Sequence, residues 1–484
     1  MSETVHWADV IAEDVLRRGN RHVVATGITP SGPIHIGNMR EVVIADAVCR
    51  VLRDRGADVR LIYIADTYDP LRRAYPFLPD GYGEHIGKPL SEIPDPDGCC
   101  PNYAEHFLRP FLNSLGWLEV EITVYRADDM YKSGMYADLI GTALENRDGI
   151  AKTLAEVAGT SIPSSWSPLN PLCEQCGRIT DAIVKGHVGK NVDYKCMCGH
   201  HGTADFSKGG GKLTWRVDWP ARWKMLDITV EPFGKDHAVA GGSYDTGVRI
   251  SREIYGHEPP YPIPFEHIFL KGKGKMSSST GILVSIQEML DVIPPEVLRH
   301  LFLRTKPEKH IEFDPGMPLL NLIDEYDRIH EWKIPFRHMV TIVQIAHDFD
   351  GVLEVLRRSG YDISDLNAIG QRSLNARNWL SKFAPPSVKF KVQETLPVGV
   401  KKLSQKQKLA LGILADEIGR KKTAGELHDE IYKIAEEVGI DPSDVFKAVY
   451  VALLGKSSGP RAGWFLVSLE GNFLRKRLRE ASKA

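Results

Sequence analysis

Two stretches of this chain combine residue types that bind phosphate. Pro30-Ser31-Gly32-Pro33-Ile34-His35-Ile36-Gly37-Asn38 follows an apolar run and opens a helical pattern. A helix start offers unpaired backbone N–H groups and a partial positive charge, which suits a phosphate. His35 adds a donor and Asn38 an amide, and Gly37 lets the backbone approach an adenine or ribose. The second stretch, Lys271-Gly272-Lys273-Gly274-Lys275-Met276-Ser277-Ser278-Ser279, lies far downstream. Its lysines are point charges for a triphosphate, and Ser277, Ser278 and Ser279 carry hydroxyl donors. Each stretch alone has a plain reading, as a glycine-rich turn with an incidental His or as a solvated basic loop. Their order in a chain of α/β pattern is what joins them.

The cysteines point to metal. Cys173 and Cys176 are two apart with Gly177 behind them, and Cys196 and Cys198 follow, with His200 nearby. Zinc takes four such ligands in a tetrahedron. The expected set is Cys173, Cys176 and two of Cys196, Cys198 and His200. Asp95, Cys99, Cys100 and His106 form a second candidate cluster, weaker by spacing alone. Both are expected to be structural, because nothing beside them offers an open coordination position or a base. The plain alternative is a set of reduced thiols.

The elements that must position these residues read as a βαβ unit. Apolar residues recur at helical spacing over 6–18, and His22–Gly27 is a short apolar strand. Ile34–Arg53 is a helix and Asp58–Asp66 a second strand. That succession predicts a parallel sheet with ligands at the carboxyl ends of its strands, where Gly27–Thr29 and Asp66–Asp69 fall. The pattern changes over 70–210, which is Pro- and Gly-rich with short helices. The sheet is expected to resume at Ile228–Asp236 and Ile263–Leu270. Helical patterns dominate from Pro294 onward. The closing run Phe473 to Arg479 is basic with apolar residues between, either a backbone-binding face for RNA or an ordinary solvated helix end. Gly463-Trp464-Phe465 offers an aromatic pair to stack a base or to fill a core.

At 484 residues and 43% hydrophobic, the chain is long enough for two to four domains. A net charge of −2 does not advertise nucleic acid, though a local basic surface is enough to hold phosphates. No apolar run reaches the roughly 18 residues of a membrane helix, and the N-terminus lacks a secretory pattern. A cytoplasmic protein without a membrane partner is expected.

Together the two phosphate-binding stretches resemble the signatures of class I aminoacyl-tRNA synthetases. The resemblance implies an ATP site between the motifs, with Lys275 stabilising charge on the phosphates. Asn38 stands where the common form has a second His, and Ser278 where it has a second Lys, so Lys271 or Lys273 would share the load. Relatives for glutamate and glutamine typically carry an Arg before the first motif. Val24-Ala25-Thr26-Gly27-Ile28-Thr29 has none. The insertion is too short for a large editing domain.

Further strings resemble the class I lysyl-tRNA synthetases. They are Thr26 to Gly32, Asp66 to Arg72, Gly87 to Leu90, 215–223 and 231–247. This implies a Rossmann-like α/β catalytic domain in two halves (1–70 and 215–290), split by a zinc-bearing insertion (71–214). A connecting helical region (291–340) and an all-α anticodon-binding region (341–484) follow. The implied substrates are ATP with Mg2+, L-lysine and tRNA(Lys), one or two structural zinc ions are implied, and a monomer is expected. For lysine, Trp219, His237 and Phe265 can wall a tunnel for the carbon chain, although Trp215 or Trp219 could simply be core. Gly27 and Thr29 can touch the α-amino group or the ammonium. Asp66 or Asp69 can supply negative charge, although Asp69 precedes a proline and could be a turn residue. Asp236 is expected to hold ribose or orient His237, and Gly241-Gly242 to let backbone come close to adenosine. A tRNA-independent nucleotidyltransferase of the same fold predicts a short C-terminal region. A non-catalytic paralogue predicts damaged motifs. The sequence fits neither.

Overall fold

Val23, Val24 and Ala25 alternate sides of a strand and are all buried, so this strand is covered on both faces. In the computed structural model, which describes residues 6–159, 161–272, 274–275, 285–418 and 423–484, it is the centre of a five-stranded parallel sheet. We number its strands β1 (Arg21–Ile28), β2 (Asp58–Ala65), β3 (Thr123–Arg126), β4 (Val230–Gly234) and β5 (Tyr261–Phe265). The spatial order is β5-β4-β1-β2-β3. The chain builds outward from β1 on one side, then returns to its other side with β4. The carboxyl ends of β1 and β4 therefore flank the switch point, where ligands of such sheets bind.

The chain divides into two units, Met1–Met289 with Arg299–Phe313, and Leu290–Leu298 with Asp314–Ala484. The first holds the sheet. The second has its own apolar core, built on Leu411, Leu414, Ile431, Val449, Phe465 and Leu478 among others. The described elements of 314–484 are all helical, as the sequence pattern predicts.

Three boundaries differ from expectation. β3 lies inside the expected insertion of 71–214 yet pairs with β2 in the catalytic sheet. It is a four-residue edge strand whose members are half-buried or exposed, so it leaves no apolar run to read. Ile263–Leu270 is two strands. Tyr261–Phe265 joins the parallel sheet, and Ile268–Leu270 pairs with Gly274–Lys275 and Ile311–Phe313 in a separate one. Finally, β4 stops at Gly234, and Lys235–His237 is a single 3-10 turn that swings His237 toward the switch point. The part of the insertion around Cys196 and Cys198 is a three-stranded antiparallel sheet, Ala182–Val188, Asn191–Cys196 and His201–Asp205.

Arg40 ties the helix after β1 to the segment that follows β5. It is fully buried and donates to four carbonyls, Glu266 O (2.6 Å), Lys306 O (3.1 Å), Pro307 O (3.4 Å) and Lys309 O (2.8 Å). Removing it strands all four acceptors. Arg40→Met is expected to destabilise the protein by about 3 kcal/mol, read as a lower urea midpoint at unchanged m-value. An unchanged midpoint would show that the clamp contributes nothing.

Candidate active site and metal centres

His35 is the N-cap of the Ile36–Asp54 helix. Its Nδ1 accepts the Gly37 N–H at 3.0 Å, and Asn38 Oδ1 accepts the His35 N–H at 3.3 Å. This reciprocal cap explains the motif's residue types locally. With Nδ1 accepting, the ring proton of neutral His35 sits on Nε2. Asn38 has its oxygen committed to the cap and so has only its amide N–H groups for a ligand. Gly37 is required for a reason nearer than adenine, since a Cβ there would meet the His35 ring at 2.8 Å.

Beside this cap lies a cavity of about 390 Å³ at the carboxyl ends of β1, β4 and β5. Of the expected site residues, Gly27, Thr29, His35, Gly37, Asn38, Asp236, His237 and Phe265 line it. So do Glu41 and His267, which the sequence analysis missed. Glu41 Oε1 accepts the Gly27 N–H at 3.0 Å. Burial pushes its carboxyl up to about 8, against the pull of that N–H, and the nearby Glu231 and Asp66 push the same way. The signal that could have found Glu41 is its position one turn after Gly37, on the face of the helix that carries the motif.

Several expected roles are corrected. Asp66 does not line the cavity. It is buried and ion-paired with Arg222. Asp69 does not line it either, but accepts from Thr29 Oγ1, which does, at 2.8 Å. Trp219 is 3% exposed and belongs to the core beneath the site, with its ring 5.5 Å from that of His237. It backs the cavity wall and does not form it. Burial lowers the pKa of His237, which favours the neutral ring. Asp236 Oδ2 pairs with His267 Nε2 at 3.1 Å, and its charge also acts on His237. Gly241 and Gly242 are needed by the protein itself, because a Cβ would strike Val157 O at 2.6 Å or His237 O at 2.5 Å. Lys273, Ser277, Ser278 and Ser279 lie outside the described residues, as does the side chain of Lys275. The Lys275 backbone is described, pairing with Phe269 in the small sheet.

Both cysteine clusters assemble. Cys173, Cys176, Cys196 and Cys198 bring their sulfurs within 4.8 Å of one another. The Cys173–Cys198 and Cys176–Cys196 separations are 3.8 and 3.7 Å. Four sulfurs at zinc's bond length on a tetrahedron stand about 3.8 Å apart. Burial opposes ionisation of Cys173, but the backbone N–H groups of Cys176 and Gln175 hold its thiol down, at about 7. His200 is not in the set; its Nε2 is 2.8 Å from Glu174 Oε1. Asp95, Cys99, Cys100 and His106 also converge within 4.8 Å, with Cys99 Sγ 3.5 Å from both Cys100 Sγ and His106 Nδ1. Both donor sets fit zinc, and each closes a loop.

A family profile described as "tRNA synthetases class I (K)" matches residues 5–340. The chain is 54% identical to a lysine–tRNA ligase of Methanosarcina barkeri, covering 100% of this chain and 98% of that one. It is 48% identical to the lysine–tRNA ligase of Archaeoglobus fulgidus, over 99% and 100% of the two chains. With that of Methanocaldococcus jannaschii it shares 42% identity, over 98% and 99%.

Two measurements test the site's chemistry. Without ligand, folded Glu41 holds a proton up to about pH 8 that the unfolded chain loses near 4.5. A carboxyl raised in this way stabilises the fold at low pH, and that stability is lost as pH rises through the folded value. The melting temperature of the wild type is expected to fall between these pH values, and more gently in Glu41→Gln. Equal slopes would place Glu41 in water. For the metals, mass spectrometry should find two zinc ions per chain, with Cys176→Ser or His106→Ala reducing this to one. His200→Ala should leave two, and losing one would return His200 to the ligand set.

Proposed function

We infer the reaction from the premise that the chain belongs to the class I tRNA synthetases of the lysine type: it activates L-lysine with ATP and transfers it to tRNA. The observation that carries the choice of amino acid is the make-up of the cavity's inner end. Glu41 puts a carboxyl there, beside Gly27, and no Arg or Lys is among the described residues that line the cavity. An ammonium entering beside Glu41 draws its carboxyl into the ionised form, giving a charge-assisted hydrogen bond in a partly desolvated place. A carboxylate side chain would meet like charge. Phe265, with His237 backed by Trp219, supplies the flat walls for a four-carbon chain.

Activation joins the lysine carboxylate oxygen to the α-phosphorus of ATP and breaks the bond to pyrophosphate. A ribose hydroxyl of the 3′-terminal adenosine of the tRNA then takes the acyl group, and the acyl–phosphate bond breaks to release AMP. The N-terminus of the Ile36–Asp54 helix and the Nε2–H of His35 are proposed to hold phosphate oxygens. Lys275, with Lys273, Ser277 and Ser278, is proposed to close over them from the second motif. Mg2+ is proposed to accompany ATP. No residue need bond covalently to the substrate, since positioning and electrostatics carry the step.

The helical unit is proposed to take the anticodon end of tRNA(Lys). In it, Trp464 stacks on Tyr361 (5.7 Å, 15°) and lines a cleft of about 780 Å³. Phe465 is fully buried in the core, so only the first of the two aromatics is open to a base. On the last helix Arg477 is buried and donates to Gln393 O and Glu394 O, while Arg475, Lys476 and Lys483 line its outer groove. The two zinc sites are proposed to be structural. No described helix is long and apolar enough to cross a membrane. Charging tRNA is proposed as a cytoplasmic role of a monomer.

ATP–pyrophosphate exchange, run with each amino acid and with or without tRNA(Lys), tests the reading. Lysine is expected to support exchange, and His35→Ala to slow it by on the order of 100-fold. Silence with lysine under both conditions, or a stronger signal with glutamate, contradicts it.

A further inference from the structure

A hydroxyl can face a ligand as donor or as acceptor. A pocket that lines one end with a threonine therefore needs something to fix its polarity. Thr29 lines the cavity, and its Oγ1 donates to Asp69 Oδ2 at 2.8 Å. A hydroxyl has one proton, so Thr29 has only lone pairs left for a ligand. Asp69 is held in turn. Lys212 Nζ lies 3.1 Å from its Oδ1 and 2.5 Å from Asp218 Oδ2. Arg222 Nη2 is 2.6 Å from the same Asp218 oxygen and also pairs with Asp66. All five charged side chains are buried. An ammonium such as that of Lys212 has no lone pair, so the Asp69 atom facing it must be an acceptor. One backbone donor of this strand end, the Gly27 N–H, is also taken, by Glu41 Oε1 at 3.0 Å.

We propose that Asp69, anchored by Lys212, fixes Thr29 as an obligate hydrogen-bond acceptor, so that the pocket end becomes a polarity filter. It admits an amino acid whose side chain ends in N–H donors and refuses one of similar length ending in a carboxylate or carbonyl. Asp69 and Lys212 are positioning residues in this scheme, acting through Thr29. The inference rests on the lysine reading and adds to Glu41 a second, charge-independent layer of selection. Sites that pair a substrate's polar group reject analogues of the wrong polarity most strongly, because buried groups are then left unpaired.

The scheme makes a sharp statement about an isosteric change. In Asp69→Asn, Lys212 still demands the oxygen, which turns the new NH2 group toward Thr29. The Thr29 oxygen then accepts, and its proton swings to the cavity. Polarity reverses without a change of volume.

The test is calorimetric binding of lysine, norleucine and 2-aminoadipate to the full chain. The proteins are the wild type, Asp69→Asn, Thr29→Ser and Thr29→Val, with ATP affinity as control. Asp69→Asn is expected to weaken lysine by at least about 10-fold and leave norleucine and ATP unchanged. It should narrow the preference for lysine over 2-aminoadipate. Thr29→Ser should keep lysine affinity, and Thr29→Val should lose it. Should Asp69→Asn fail to fold, the Ser and Val pair decides the matter alone, and equal binding in the two overturns the proposal. Lysine bound as in the wild type by Asp69→Asn, or lysine and norleucine weakened together, overturns it as well. A wild type that binds no lysine overturns the lysine reading itself and this inference with it.

Discussion

The bond from Thr29 to Asp69 is where the sheet, the insertion and the cavity meet. Thr29 follows β1 and Asp69 follows β2, so their hydrogen bond closes the gap between two neighbouring strand ends. Behind it run Lys212, Asp218, Arg222 and Asp66, all buried. Lys212 comes from the end of the insertion, and Asp218 and Arg222 lie on the Trp215–Leu226 helix that re-enters the catalytic domain. Burying five charges is costly unless each finds partners, and breaking one pair costs more than the pair contributes. The insertion therefore cannot shift relative to the sheet without leaving charge unpaired in the interior. The network fixes the cavity's shape and the polarity of its wall together.

This dependence explains which parts of the molecule could be read from sequence. Local devices were legible. The cap made by His35, Gly37 and Asn38 has a residue pattern with one physical meaning, and the strands β1 and β2 announce themselves as apolar runs. The cysteine pairs were legible because zinc tolerates few ligand types at few spacings. Long-range pairings were not. Asp66 and Asp69 look alike in sequence, three residues apart beyond the same strand, yet one is spent on Arg222 and the other on Thr29 and Lys212. Nothing local distinguishes them. Trp219 carries the same ambiguity, because an aromatic ring can wall a pocket or back its wall. Glu41 was hidden for the opposite reason, since a helical glutamate is ordinarily a solvated one.

The insertion is better described as an elaboration of the sheet than as a module hung from it. β3 lies within it, and Tyr103 on its longest helix donates to Ser31 O at 2.8 Å, touching the loop that carries the first motif. The Asp95–Cys99–Cys100–His106 cluster stands at the start of that helix. A metal there would brace the helix end that holds the motif loop. The four-cysteine cluster sits apart, clasping the small antiparallel sheet.

The central claim is that the cavity's inner end is built from acceptors for an ammonium group. A crystal structure with a non-hydrolysable lysyl-adenylate analogue tests it most directly. The account places the ammonium nitrogen about 3 Å from both a Glu41 carboxylate oxygen and Thr29 Oγ1. It places the adenylate phosphate at the helix start beside His35. An analogue whose ammonium points away from Glu41 and Thr29, or whose phosphate lies at that inner end, would contradict it.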